Sequence, residues 1–368
     1  MSPGLTALPR AAAGAAATQL PVLIQVSPTE RGGVFDYLEC LGARWAAAGT
    51  PSHTLPLSKA LAREQSLDER VAECCRRSGR AAHGEPCTVV LHFSGYGYGQ
   101  RGLCFWLLHE LQALRRRRQG SLHLVVVFHE LFATGPPWRS AFWVSDAQAW
   151  IARRLARLAD VMWTNTAAHA NWLRGVMPRG TPLHARPVFS NVGEPLHTPR
   201  LVERAPRAVV FGSAPTRLRA FNALRGHEPA LKAMGIEELV EAGSGAACHP
   251  QGVIPTRHVG RLGAEALGQL LMSSRFGIVD YEAHGLAKSG VFAAYASHGC
   301  VAINTSHLAT NDDGLQAGLD YHLLSPGSRP DSTSLATQQD MADRLYRWYQ
   351  RHRLEQQAKE LLVLSGAS

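Results

Sequence analysis

Two series of short apolar stretches, each alternating with amphipathic ones, constrain this 368-residue chain more than any other feature. From Leu20 onward the strand candidates are Val22–Val26, Thr88–Phe93, Leu122–Phe128 and Val161–Thr164, with helical periodicity between them. A second series follows at Ala208–Phe211, Glu238–Ala242, Phe276–Asp280 and Val301–Asn304. Continuous Val/Ile/Leu runs suit strands buried on both faces, and parallel neighbours need helical crossovers, so each series predicts a mostly parallel sheet covered by helices. The length also exceeds what one core usually serves. No sequence repeat relates the halves; only the alternation does.

The implied organisation is a disordered Ala-rich leader over 1–19, a first α/β domain over 20–190, a linker over 191–206 and a second α/β domain over 207–340. The linker lies in the Pro- and Val-rich stretch Pro187 to Pro206. A terminal helix over 341–368 could pack back on the first domain, with Leu345, Trp348 and Tyr349 as its apolar series. The leader lacks both the core of a signal peptide and a membrane-spanning length, which points to the cytoplasm.

The formal charge of +9 favours anionic partners without choosing among nucleotides, anionic membranes and nucleic acids. Arg115 to Arg118 end a predicted helix over Leu103–Arg116, where they either cap the helix or give peripheral contact with an anionic membrane. The aromatics do not interleave with a continuous basic patch, so no nucleic acid is expected. Seven cysteines without a CxxC pair read as reduced, mostly buried thiols, and no metal site is expected.

The chemistry gathers where strands run into helices. Lys288-Ser289-Gly290 follows the strand Phe276–Asp280 and opens a predicted helix, placing a cation, a hydroxyl and a glycine where free N–H groups and the positive helix end converge. That combination suits a diphosphate. Gly32 and Gly33 sit at the end of the first strand, where paired glycines let a ligand approach the backbone. Only two glycines occur there, and no Gly-Lys-Ser/Thr loop exists, which argues against NAD enzymes and P-loop NTPases. After Ala208–Phe211 come Gly212, Ser213, Arg217 and Arg219, with the arginines suited to a departing diphosphate. His129-Glu130 ends the most apolar strand of the first half, where an imidazole and a carboxylate could bind hydroxyls or trade a proton, or the histidine could be structural. Ser94 to Gly99 reads as a flexible aromatic loop that either touches a ligand or is a structural turn. The loop Phe132 to Asp146 offers Trp138, Arg139, Phe142 and Trp143 as an acceptor wall.

On these residues the chain resembles the GT-B superfamily of nucleotide-sugar glycosyltransferases, especially the retaining group sharing the family 1 / family 4 domain. The likeness spans about Leu20 to Leu362 and rests on Gly32-Gly33-Val34, His129-Glu130, the turn Asn191-Val192-Gly193-Glu194, and the order of elements. It implies two Rossmann-like domains facing a central cleft, a nucleoside diphosphate sugar donor, no further cofactor, and a glycan or lipid-linked glycan acceptor. It further implies that Gly260 and Arg261 lie near the base, that Arg217 and less directly Arg219 meet the diphosphate, and that Glu282 is the first of a glutamate pair. Gly290 stands where the second glutamate usually binds the ribose. A catalytically silent nucleotide-sugar-binding relative is therefore the alternative reading.

Overall fold

A computed structural model describes residues 20–367, apart from 30–31, 134–137, 139–141, 249–253, 306–311 and 325–333, and apart from the side chain of residue 283. The leader and Arg139 lie outside the described residues.

The first half runs β1 (Val22–Pro28), α1 (Gly33–Ala47), β2 (His53–Leu57), α2 (Lys59–Glu64), α3 (Leu67–Arg77), β3 (Cys87–Phe93), α4 (Gly95–Tyr98), α5 (Phe105–Arg117), β4 (Leu122–Phe128), α6 (Phe142–Leu158), β5 (Val161–Thr164), α7 (Ala167–Arg174) and β6 (Leu183–Ala185). The second runs β7 (Ala205–Phe211), α8 (Ala214–Ala223), α9 (Glu228–Ala233), β8 (Glu238–Ala242), β9 (Thr256–His258), α10 (Ala264–Met272), β10 (Ser274–Val279), α11 (Gly290–Ser297), β11 (Val301–Asn304) and β12 (His322–Leu323). Two helices close the chain, α12 (Leu335–Gln350) and α13 (Leu354–Leu364).

Each half holds one parallel six-stranded sheet, ordered β2-β1-β3-β4-β5-β6 and β12-β11-β10-β7-β8-β9. The strand order reverses between β1 and β3 in one sheet and between β7 and β10 in the other. Ligands of open α/β sheets bind outside the carboxyl ends of strands at such a reversal. The Gly32-Gly33 loop follows β1, and Gly212-Ser213 and the turn to Lys288 follow β7 and β10. Topology alone thus brings most of the sequence candidates to two opposed sheet edges.

All eight strands expected from sequence form, because their apolar runs are buried on both faces, as in β3 and β4. Four more were missed. β2 carries Pro56, and β6, β9 and β12 have two or three residues with partly exposed patterns; all four lie toward sheet margins.

Two other expectations need correction. Ser94 to Gly99 is not an open loop: Gly95–Tyr98 forms one helical turn, anchored by the Tyr98 hydroxyl donating to the carbonyls of His92 (3.1 Å) and Val26 (3.3 Å). The terminal helix is two helices, broken at Arg351 to Arg353, because its apolar residues serve two partners. Met341, Leu345 and Tyr349 of α12 are buried in the second half's direction, against α11 and β11. Gln357, Ala358, Leu361 and Leu362 of α13 turn to the first half, where α13 packs on α1. There Trp45 Nε1 donates to the Ala358 carbonyl (2.8 Å) and Thr88 Oγ1 to the Ser365 carbonyl (2.7 Å). The crossing is tied to the linker by Glu194, which accepts from Tyr349 and from the Leu354 N–H (2.7 Å).

Candidate active site

Between the two sheet edges lies a cavity of about 910 Å³, lined from the first half by Phe132, His169 and Trp172 and from the second by Arg219, Glu282 and Lys288. A pocket of about 280 Å³ adjoins it, bounded by Gly33, His129, Asn165, Asn191, Lys288 and Gly290. Lys288 and Tyr281 belong to both. A volume near 900 Å³ is in the range that houses a cofactor-sized ligand.

Lys288 reaches the cleft because β10 ends at Val279 and a 3₁₀ turn over Ala283–Lys288 carries the chain to the start of α11. Among the described residues no carboxylate pairs with its ammonium. Ser289 differs from expectation: it is buried, and its hydroxyl caps α11 by accepting from the Phe292 N–H (3.2 Å). It therefore orders the helix start and lines neither the cavity nor the smaller pocket. Gly290 opens the pocket, with the Asn191 side chain 3.9 Å from where a Cβ would stand.

Arg217 is the clearest correction. It is fully buried, not in the cleft: Nε donates to Glu241 Oε1 (2.7 Å), Nη1 to the Gly212 carbonyl (2.7 Å) and Nη2 to the Ser244 carbonyl (2.9 Å). The face of α8 that bears it also bears the buried Ala220 and Phe221, so helical phase turns it into the core. Its guanidinium ties the loops after β7 and β8 together, and Gly243 must be glycine because a Cβ there would collide with it. Arg219 faces the cavity instead, 3.4 Å from Asp280.

Gly212 has φ 126°, a conformation open to glycine, and lets the chain turn from β7 to the Ser213 that starts α8. Ser213 is exposed and shares a hydrogen bond with Thr216 (2.9 Å). Glu282 lines the cavity and lies 3.1 Å from His284. Arg261 lines a further cavity of about 540 Å³ with Asp36, Glu39 and Phe211; this cavity shares Asn191 with the smaller pocket, and the Gly260 carbonyl accepts from the Gly243 N–H (2.8 Å). Gly32 and Gly33 at the start of α1 have nothing within 4 Å of a notional Cβ, so the space they leave is open to a ligand.

His129 follows β4, 9 % exposed, across the smaller pocket from Lys288 and Gly290. Burial pushes its imidazole down to about 3, so the ring is neutral at ordinary pH. His169, which the sequence reading missed, is pushed down to about 4 by burial, with the Lys288 and His284 charges adding to the effect. Asn165, Asn191 and Tyr281 were also missed, whereas Glu130, read together with His129, lines the smaller pocket beside it. Asn191 lay in a recognised turn, but single polar residues at strand ends carry no periodic signal.

The expected acceptor wall is only partly present. Phe132 lines the cavity, packed 5.1 Å from the Trp172 ring, whereas Trp138 and Trp143 are 84 % and 75 % exposed and do not line it. The Arg115–Arg118 run is mostly engaged inward: Arg115 pairs with Asp160 (2.6 Å), Arg118 is buried on Asp68 (2.6 Å), and Arg117 is 3.7 Å from Asp68. Among the described residues no helix is long and apolar enough to cross a membrane, and no cluster of three His, Cys, Asp or Glu could hold a metal.

Two parallel α/β sheets meeting edge to edge over a cleft constitute the GT-B fold. Solved structures with this fold include an alpha-glucosyltransferase in complex with UDP, with a TM-score of 0.56 and 11% identity over 94% of this chain and 100% of that one. They also include an alpha,alpha-trehalose-phosphate synthase (UDP-forming) from Burkholderia vietnamiensis, at 0.57 and 14% over 95% and 99%. An alpha-glucosyltransferase in complex with UDP-glucose and DNA containing an abasic site gives 0.54 and 12% over 94% and 98%. No protein-family model and no curated protein sequence matches the chain.

Proposed function

We propose that this protein is a glycosyltransferase that moves a sugar from a nucleoside diphosphate sugar to a hydroxyl of a glycan or lipid-linked glycan, with retention and without a metal. The observation that carries this is that Lys288 and Gly290 at the α11 N-terminus, from the second half, line one pocket with His129 of the first half. In this reading the glycosidic bond to the diphosphate breaks, and the ammonium and the helix N–H groups meet the negative charge left on the leaving oxygens. His129, neutral and rigidly held, hydrogen-bonds a sugar hydroxyl near the anomeric carbon. Asn165 and Asn191 supply further polar contacts. Arg219 and Glu282 line the wider cavity, where the rest of the donor or the acceptor fits. The solved structures of this fold described with UDP or UDP-glucose support a nucleotide donor.

The test is transfer from a panel of UDP-, GDP-, ADP- and TDP-sugars to glycan, lipid-linked glycan and duplex DNA acceptors, read by mass spectrometry. Product on a glycan-type acceptor is expected. Product on DNA alone would overturn the acceptor, and donor binding with neither transfer nor hydrolysis would make the chain a silent binding protein.

A further inference from the structure

Behind His129 lies a buried chain of side chains that determines which ring nitrogen carries its proton. Gln25 on β1 and His92 on β3 are fully buried beneath the pocket. The Gln25 amide nitrogen donates to the Leu38 carbonyl (3.3 Å) and to Ser52 Oγ (2.9 Å). Because a carbonyl only accepts, the nitrogen must face Leu38, which turns Oε1 toward His92 Nε2 at 3.1 Å. An amide oxygen has no proton to give, so His92 Nε2 carries the hydrogen. Burial and the His129 ring beside it keep His92 neutral, which leaves its Nδ1 a bare acceptor. That Nδ1 lies 3.2 Å from His129 Nε2, so His129 must donate from Nε2 and is itself left with a lone pair on Nδ1. The Tyr37 ring stands edge-on to His129 at 5.0 Å and is stacked on Phe189, which holds the imidazole plane.

We propose that Gln25 and His92 are positioning residues that leave His129, which lines the pocket, with Nδ1 as its hydrogen-bond acceptor. The cleft then selects a substrate that presents a hydroxyl or N–H donor to that atom, and it disfavours one presenting only an acceptor. This deepens the glycosyltransferase reading, since the ligand group it orients is the sugar hydroxyl.

The test is long-range proton–nitrogen NMR of the full chain labelled with ¹⁵N-histidine, with His92→Phe and His129→Ala used to assign the signals. Both His92 and His129 are expected as the Nε2–H tautomer in the wild type. His129 found with its proton on Nδ1 would overturn the proposal without recourse to any variant. Gln25→Met, which keeps the bulk and removes the acceptor, is expected to populate both tautomers at His129 and to lower kcat/KM for the donor on the order of tenfold. An Nε2–H tautomer retained in full in folded Gln25→Met would likewise refute the relay. The two readings fail separately: tautomers as proposed with no transfer to any acceptor would sink the function, whereas transfer with His129 protonated at Nδ1 would sink the relay.

Discussion

Arg217 separates a structural account of this cleft from the one its sequence suggests. Replacing it by Met removes the guanidinium from Glu241, a fully buried carboxylate that keeps the Cys248 N–H (2.9 Å) and lies 3.5 Å from His258. It also strips a donor from the Gly212 and Ser244 carbonyls. Breaking a buried ion pair at one end costs about 3–5 kcal/mol, because the other charge stays desolvated. At about 2–4 °C per kcal/mol for a domain of this size, the melting temperature should fall by roughly 6–20 °C. Adding Glu241→Leu removes the carboxylate left without its guanidinium and should restore part of that loss, while the Cys248 N–H and the Gly212 and Ser244 carbonyls still lack the partners they have in the wild type. Differential scanning calorimetry reads the stability, and calorimetric titration below the transition reads donor affinity. A variant with unchanged melting temperature and lost donor binding would refute the reasoning and return Arg217 to the diphosphate.

Four further outcomes follow from the same geometry. Lys288→Ala should lower kcat on the order of 10²–10³-fold, as removal of an electrostatic transition-state partner does, while the melting temperature holds; steady-state kinetics with saturating acceptor checks it. His129→Ala should remain folded and lose transfer on the order of 10²-fold, and unchanged transfer would make the residue structural. Gly243→Ala should destabilise the second half by forcing Arg217 away from its partners, seen as an earlier thermal transition. Stability should fall as pH drops below about 6.5, the unfolded histidine value. The folded values are depressed by burial, to about 3 for His129 and His352 and about 4 for His169 and His298, so the unfolded state binds the extra protons. Each such histidine contributes a slope of up to about 1.4 kcal/mol per pH unit between the two values. Melting temperatures independent of pH between 4 and about 6.5 would contradict that burial.

The alternation of apolar runs made the two central sheets legible, since β1, β3, β4 and β5 and their counterparts β7, β8, β10 and β11 are the strands buried on both faces. The edge strands were not legible. A three-residue strand such as β9 has too few positions to show a period, and Pro56 argues against β2. That Lys288, Gly290 and Gly33 come to the cleft was legible because a strand–loop–helix junction has a physical meaning that can be read locally. Arg217 and Arg219 were ranked in the wrong order because two residues of offset rotate a side chain by more than half a turn, and only the packing of Ala220 and Phe221 reveals which face is inward. Asn165 and His169 were missed because they share a cavity lining with Lys288 from the other half, a juxtaposition with no trace in local sequence. His92 was passed over inside a strand whose apolar neighbours masked it.

Lys288 and the α11 N-terminus are proposed to hold a diphosphate. Calorimetric titration of nucleoside diphosphates and their sugars into wild type and Lys288→Ala tests it directly. One nucleotide is expected to bind selectively, and the variant to bind it about tenfold or more weakly with its fold intact. Equal affinity in both proteins, or no nucleotide bound by either, would contradict the account.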